Sequence, residues 1–204
     1  MGRKVAVLLW VIAIVFTSGA LSHEPGSRVL LNASNIPFVY ESRSRIKSPI
    51  EPLAHVISVD YRNGDQFTRH EMLPQLKPVI EEEIKHAQGI KLVTIKVAVP
   101  MKLYDFDGGG FPTGINGGAL VPIGQYGVTF ENVSRAAILK VDKDRAKMIS
   151  RIVPVSRTIL LLLHGTVESA SEVNNLVIPK QLHVRLTSME GTLENGTFIA
   201  RNDL

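Results

Sequence analysis

Gln181-Leu182-His183-Val184-Arg185-Leu186-Thr187 alternates polar and apolar side chains along its length. A strand sends successive side chains to opposite faces, so one buried and one hydrated face give this period of two. Upstream, Ile159-Leu160-Leu161-Leu162-Leu163 stands between Arg157 and His164. A run that short cannot cross a bilayer, which takes about 20 residues, and it reads as a buried strand within 158–167. Downstream, Asn195-Gly196 is a two-residue hairpin signal joining Thr192-Leu193 to residues 197–200. The C-terminal quarter is therefore expected to be all strand.

Further strands lie upstream. Val93, Ile95, Val97 and Val99 alternate with Thr94, Lys96 and Ala98 in residues 91–103. Residues 125–131 put Tyr126, Val128 and Phe130 on one face, and residues 136–141 form another short strand. Strands joined in succession by short turns pair antiparallel. Asn63-Gly64 marks a turn. After it, Thr68-Arg69-His70-Glu71 fits a capping box, and Leu73, Leu76, Ile80 and Ile84 follow at helical spacing. Gly89 is the stop. Pro74 and Pro78 each remove an amide donor and crowd the preceding turn, which predicts a kink or two short helices. Asp142 caps a short helix carrying Ala146, Ile149 and Ile152. The expected class is α+β: a mainly antiparallel sheet with one Pro-kinked helix and one short helix.

The N-terminus has a different meaning. Arg3 and Lys4 precede an apolar run over 5–16, and Ser18-Gly19-Ala20 and Ala20-Leu21-Ser22 supply small residues before a cut. That is the pattern of a secretory signal peptide, cleaved after Ala20 or Ser22. The expected organisation is a signal peptide over 1–22, an extended arm or linker over 23–55 and a single α+β domain over 56–204. Pro25, Pro37, Pro49 and Pro52 motivate the arm.

Composition narrows the function classes. Hydrophobic residues are 45% and charged residues 21% of the chain, an ordinary globular mix. The net charge is +4, and it drops to +2 without Arg3 and Lys4, a balance that argues against a nucleic-acid role. The chain has no cysteine, which excludes disulfides and thiol chemistry. An exported chain without disulfides fits a bacterial envelope, periplasmic or secreted, with no stable membrane span in the mature part. Asn32, Asn132 and Asn195 stand in N-x-S/T sequons, which matter only in a eukaryotic secretory pathway.

Three stretches carry a family likeness: Asn63-Gly64-Asp65-Gln66-Phe67; Tyr104-Asp105-Phe106-Asp107 with Gly109-Gly110-Phe111-Pro112; and Tyr126-Gly127-Val128-Thr129-Phe130-Glu131-Asn132. Together they resemble a group of small exported bacterial proteins that share a domain of unknown function. The likeness would span residues 57–200. It implies a periplasmic or secreted protein and brings no reaction.

The candidate binding loop runs from Tyr104 to Gly124, about twenty residues rich in glycine, and its named residues are Tyr104, Asp105, Phe106, Asp107 and Phe111. Loops bearing aromatics on a rigid sheet are common recognition sites. At least one of Phe106 and Phe111 is expected to be buried, with the Asp side chains bonded to backbone amides. Asp105-Phe106-Asp107-Gly108 begins like a calcium loop, but Asn116 stands where the closing Glu belongs. His70-Glu71 begins like a zinc-protease helix, but Pro74 stands where the second His belongs. His164 and His183 sit in strands that could be neighbours, where they could share a metal or move protons; a hydrogen-bonded core role is the expectation for His164. No nucleophile elbow, phosphate loop or dinucleotide fingerprint is present. No metal and no cofactor are expected, and no catalytic residue is assigned. The leading functional reading is a non-enzymatic envelope or secreted protein that binds or scaffolds a protein or surface polymer. The alternative is a secreted hydrolase with an unrecognised active site.

Overall fold

Alternation in the last third of the chain produces two long strands, β7 (Thr158–Glu172) and β8 (Lys180–Leu193), paired antiparallel. The computed structural model describes residues 27–152, 158–174 and 177–204. The expected signal peptide and the start of the arm lie outside the described residues. β7 and β8 form the middle of a seven-stranded sheet with β1 (Val29–Leu30), β2 (Leu92–Pro100), β4 (Leu120–Ile123), β5 (Tyr126–Phe130) and β9 (Phe198–Asp203). Its order is β1-β2-β7-β8-β5-β4, and β9 pairs with β8. Most pairs are antiparallel, but β1 runs parallel to β2 and β5 parallel to β8. The sheet is mixed because β5 reaches β8 across an intervening crossover, where no short turn sets the direction. β3 (Gly110–Pro112) and β6 (Ile138–Lys140) make a separate two-stranded ladder.

The expected reversal at Asn195-Gly196 forms, but through three residues rather than two: the Leu193 amide donates to the Thr197 carbonyl at 2.8 Å across Glu194, Asn195 and Gly196. Gly196 takes φ 84°, Asn195 Oδ1 accepts from the Thr197 amide at 3.1 Å, and β8 returns into β9.

Five α-helices are described rather than the two that periodicity predicts. α4 (Gln66–Gln88) and α5 (Lys143–Ile152) are the expected pair. α1 (Ile36–Arg43), α2 (Ile50–Ile57) and α3 (Val59–Asn63) occupy the stretch read as an extended arm and the residues just after it. The prolines explain the error. Pro37 lies in the first turn of α1, Pro49 is the N-cap of α2 and Pro52 lies in its first turn. At those positions a missing N–H costs no helical bond. α1 buries Ile36, Phe38, Val39 and Tyr40, touches β7 and β8, and packs on α4. It is core, not linker.

α4 runs as one 23-residue helix through Pro74 and Pro78, so two short helices are not what forms. Both prolines lie on its exposed side. The carbonyls that lose amide partners, those of His70 and Pro74, therefore face water, while Leu76, Ile80 and Ala87 bury the other side. Its N-cap is Asp65 rather than Thr68. The Asp65 carboxylate accepts from the Thr68 amide at 2.8 Å, which holds its carboxyl below the usual range. Gly89 does close the helix, and Asp142 accepts from the Arg145 amide at 2.8 Å to cap α5.

Alternate sheet residues, among them Val93, Ile95, Leu161, Leu163, Leu182 and Val184, join the helices in one buried cluster. Among the described residues no helix is long and apolar enough to cross a membrane.

Candidate functional site

A cavity of about 580 Å³ opens where the helices α1, α2 and α3 meet the turn between β4 and β5. The turn is a two-residue hairpin in which Gly124 adopts φ 61°, and a Cβ there would approach Ala33. Apolar side chains make most of the wall: Ala33, Pro37, Pro52, Val56 and Ile123. The polar lining is Ser34, His55, Arg62, Gln125 and Tyr126, with no carboxylate among the described residues. The size and the mixture of apolar wall with few polar groups are those of a small-molecule site.

Two of the polar residues are held by their neighbours. Arg62 Nε donates to the His55 carbonyl at 2.9 Å, so α2 orients the guanidinium from α3. Arg69 on α4 donates to the carbonyls of Tyr61 (3.1 Å) and Arg62 (2.9 Å), fixing α3 from below. The His55 ring lies edge-on to Tyr61 at 5.1 Å between centroids. No carboxylate among the described residues pairs with Arg62.

Behind the Tyr126 wall lies a buried polar cluster. The Tyr126 and Tyr40 rings are 5.3 Å apart, and Lys180 Nζ stands 5.6 Å from both ring centroids, within cation–π range. Glu41, 1% exposed, places Oε1 at 3.9 Å from Lys180 Nζ, while its Oε2 accepts from the Ser48 amide at 3.1 Å. Lys180 also donates to Ser48 Oγ at 2.5 Å. Glu41 Oε1 has no hydrogen-bond donor among the described residues. The Lys180 charge offsets that of Glu41, so the cluster adds no net charge to the cavity. Burial pushes the Tyr126 phenol well above its usual range, and the Glu41 carboxylate pushes it further. Tyr126 therefore stays protonated and is a hydrogen-bond donor, and its hydroxyl has no partner among the described residues.

The named residues of the loop expected to bind partners, Tyr104 to Phe111, lie away from the cavity beside the β3–β6 ladder and are largely structural, while the end of that loop, Ile123 and Gly124, lines the cavity. The loop is not one irregular stretch, since β3 and β4 interrupt it. Phe111 is 1% exposed and pairs across the small ladder with Leu139. Asp105 Oδ1 accepts from the amides of Asp107 (3.0 Å) and Gly108 (2.8 Å), and Asp105 bridges to Gly110. Tyr104 lies edge-on to both Phe106 and Phe111 and donates its hydroxyl to the Val141 carbonyl. Phe106 alone of the two phenylalanines is exposed, at 74%. Among the described residues no group of three or more His, Asp or Glu is placed to hold a metal ion.

No family model, curated protein or solved structure matches this chain.

The two C-terminal histidines do not meet. In the β7–β8 register His164 faces Ser188 and His183 faces Ser169. His183 sits between Thr129 Oγ1 (2.8 Å) and Ser171 Oγ (2.7 Å). His164 is 7% exposed, with Nδ1 at 2.8 Å from Thr94 Oγ1 and Nε2 at 3.5 Å from Glu190, which in turn meets Arg201 at 3.3 Å. Burial, aided by Arg28, lowers the His164 pKa, and Glu190 opposes that shift. Hydroxyl, imidazole and carboxylate stand in the order a nucleophilic hydrolase uses. Thr94 and His164 are nonetheless buried, and neither lines the cavity. The arrangement ties β2, β7 and β8 together.

Of the sequons, Asn132 is already committed: its side chain donates to the Leu186 carbonyl and accepts from the Leu186 amide, as a strand residue would.

Sequence reasoning missed Ala33, Ser34, Pro37, Pro52, His55, Arg62 and Gln125 as one site. Their only local signal is proline at helix starts, and only packing brings residues 33–62 against the β4–β5 turn.

Proposed function

We propose that this protein is an exported, non-enzymatic binding protein whose ligand occupies the cavity between α1, α2, α3 and the β4–β5 turn. The observation that carries the reading is the cavity itself: about 580 Å³, walled by five apolar residues, with donors from Arg62, Gln125 and Tyr126 around it. Such a wall removes apolar ligand surface from water, at about 25 cal/mol per Å², and a few polar groups set orientation. Export rests on the signal-peptide pattern of residues 1–22 and on the likeness to small exported bacterial proteins. The exposed Phe106 beside Leu103, itself exposed, leaves a protein or surface polymer as a second contact away from the cavity.

Native mass spectrometry of the protein recovered from an exporting host tests the reading. A small molecule carried by the parent and lost from Val56→Trp, which fills the cavity, supports it. A parent that carries nothing, and whose residues 33–62 gain no hydrogen-exchange protection from any compound in a broad screen, refutes it. N-terminal sequencing of the exported chain checks the compartment, and a chain still starting at Met1 refutes export.

A further inference from the structure

The polar lining of the cavity is one-sided. Arg62 is a permanent cation. Its Nε is occupied by the His55 carbonyl, and its terminal nitrogens have no carboxylate partner among the described residues. Tyr126 is a protonated donor with no acceptor, and Gln125 adds an amide. Among the described residues no Asp or Glu is in the lining, and the buried carboxylate of Glu41 is matched by Lys180. A neutral or cationic ligand head would leave Arg62 without a counter-charge, whereas an anionic head accepts from a planar guanidinium in charge-assisted bonds of about 2.7–2.9 Å. Ser34 and His55 complete the polar lining, and the rest of the wall is apolar and offers such a head no hydrogen bonds. Ala33, Pro37, Pro52, Val56 and Ile123 instead suit a hydrocarbon body.

We infer that the cavity takes a small amphipathic acid, an apolar body ending in one carboxylate or phosphate, with Arg62 as the residue that selects the charge. This rests on the cavity being the ligand site. Arg62 acts on the ligand's charge, and the Tyr126 hydroxyl donates to the same head or to the atom next to it.

The test uses four probes with one body: octanoate, octyl phosphate, octanol and octylammonium. Each is titrated calorimetrically into the full mature chain. The expected result is binding of octanoate or octyl phosphate at least tenfold tighter than octanol, and no binding of octylammonium. Which anion wins separates a carboxylate ligand from a phosphate ligand. Arg62→Gln, at an exposed position where folding is not at stake, should abolish the preference, and Arg62→Lys should keep part of it. Octanol binding as tightly as both anions, with Arg62→Gln without effect, overturns the charge inference and leaves the cavity as the site. Octanoate binding that survives Val56→Trp, with the fold intact by circular dichroism, overturns the cavity as the site. Failure of all four probes to bind the parent overturns the inference outright.

Discussion

Phe111→Ala is the substitution that most sharply separates a structural loop from a recognition loop. The ring is 1% exposed, on a strand three residues long. Burying a phenylalanine contributes about 1.5–3 kcal/mol. The edge-on contact with Tyr104, at 5.5 Å and 83°, is of a kind that adds about 0.5–1.5 kcal/mol. Truncation also leaves a hole against Leu139, so the expected loss is about 3–5 kcal/mol. In a domain of this size each kcal/mol moves Tm by about 2–4 °C, which predicts a fall of about 6–20 °C. Urea titration measures it: the midpoint should drop while the slope stays constant, since the same surface is exposed on unfolding. Phe106→Ala is the internal control. That ring is 74% exposed and touches Tyr104 from outside, so its loss should cost less than about 1 kcal/mol. If Phe111→Ala stays within about 1 kcal/mol of the parent, or Phe106→Ala costs as much, the account of what orders this loop is wrong.

Other perturbations have equally definite outcomes. Lys180→Met leaves the Glu41 carboxylate buried without a cation and should cost about 3–5 kcal/mol, while Lys180→Met combined with Glu41→Gln should recover much of it in a double-mutant cycle; strict additivity of the two would contradict the pairing. His164 has a folded pKa below its ordinary value of about 6.5. Above that pH the residue is neutral in both states; below it the unfolded chain takes the proton first. Stability should therefore fall as the pH drops below about 6.5 and go on falling to the folded value. His164→Gln should remove that part of the slope in urea midpoints compared at about pH 5 and pH 7.5, and an unchanged slope counts against it. Gly110→Ala would drive a Cβ into the Leu139 carbonyl oxygen and should cost about 1–3 kcal/mol, read as a lowered Tm. Chelator should leave Tm unchanged; a large drop restored by calcium would make Asp105 and Asp107 ligands.

The sequence by itself determined the local facts that one element can express. Alternation over 181–187 and the apolar run over 159–163 specify β8 and β7, because a half-buried or fully buried strand writes its burial into its own side chains. Asn195-Gly196 specifies a reversal, because few residues adopt the positive φ that Gly196 takes, although the loop that forms has three residues rather than two. Leu76 and Ile80 specify the inner face of α4. Tertiary structure alone decided the rest. Proline at 37, 49 and 52 reads as a break or as a helix start with equal local cost, and only burial of Ile36, Val39, Tyr40 and Leu53 in the core selects the start. α1 carries apolar residues around most of its circumference, so it shows no helical period to find. The parallel placement of β5 on β8 is set by a crossover, which no turn sequence records. The cavity is the furthest from the sequence, since His55, Arg62 and Tyr126 belong to three different elements. Residues acquire a joint chemistry only when packing makes them neighbours, and that information is held in the sum of many weak contacts rather than in any one stretch of chain.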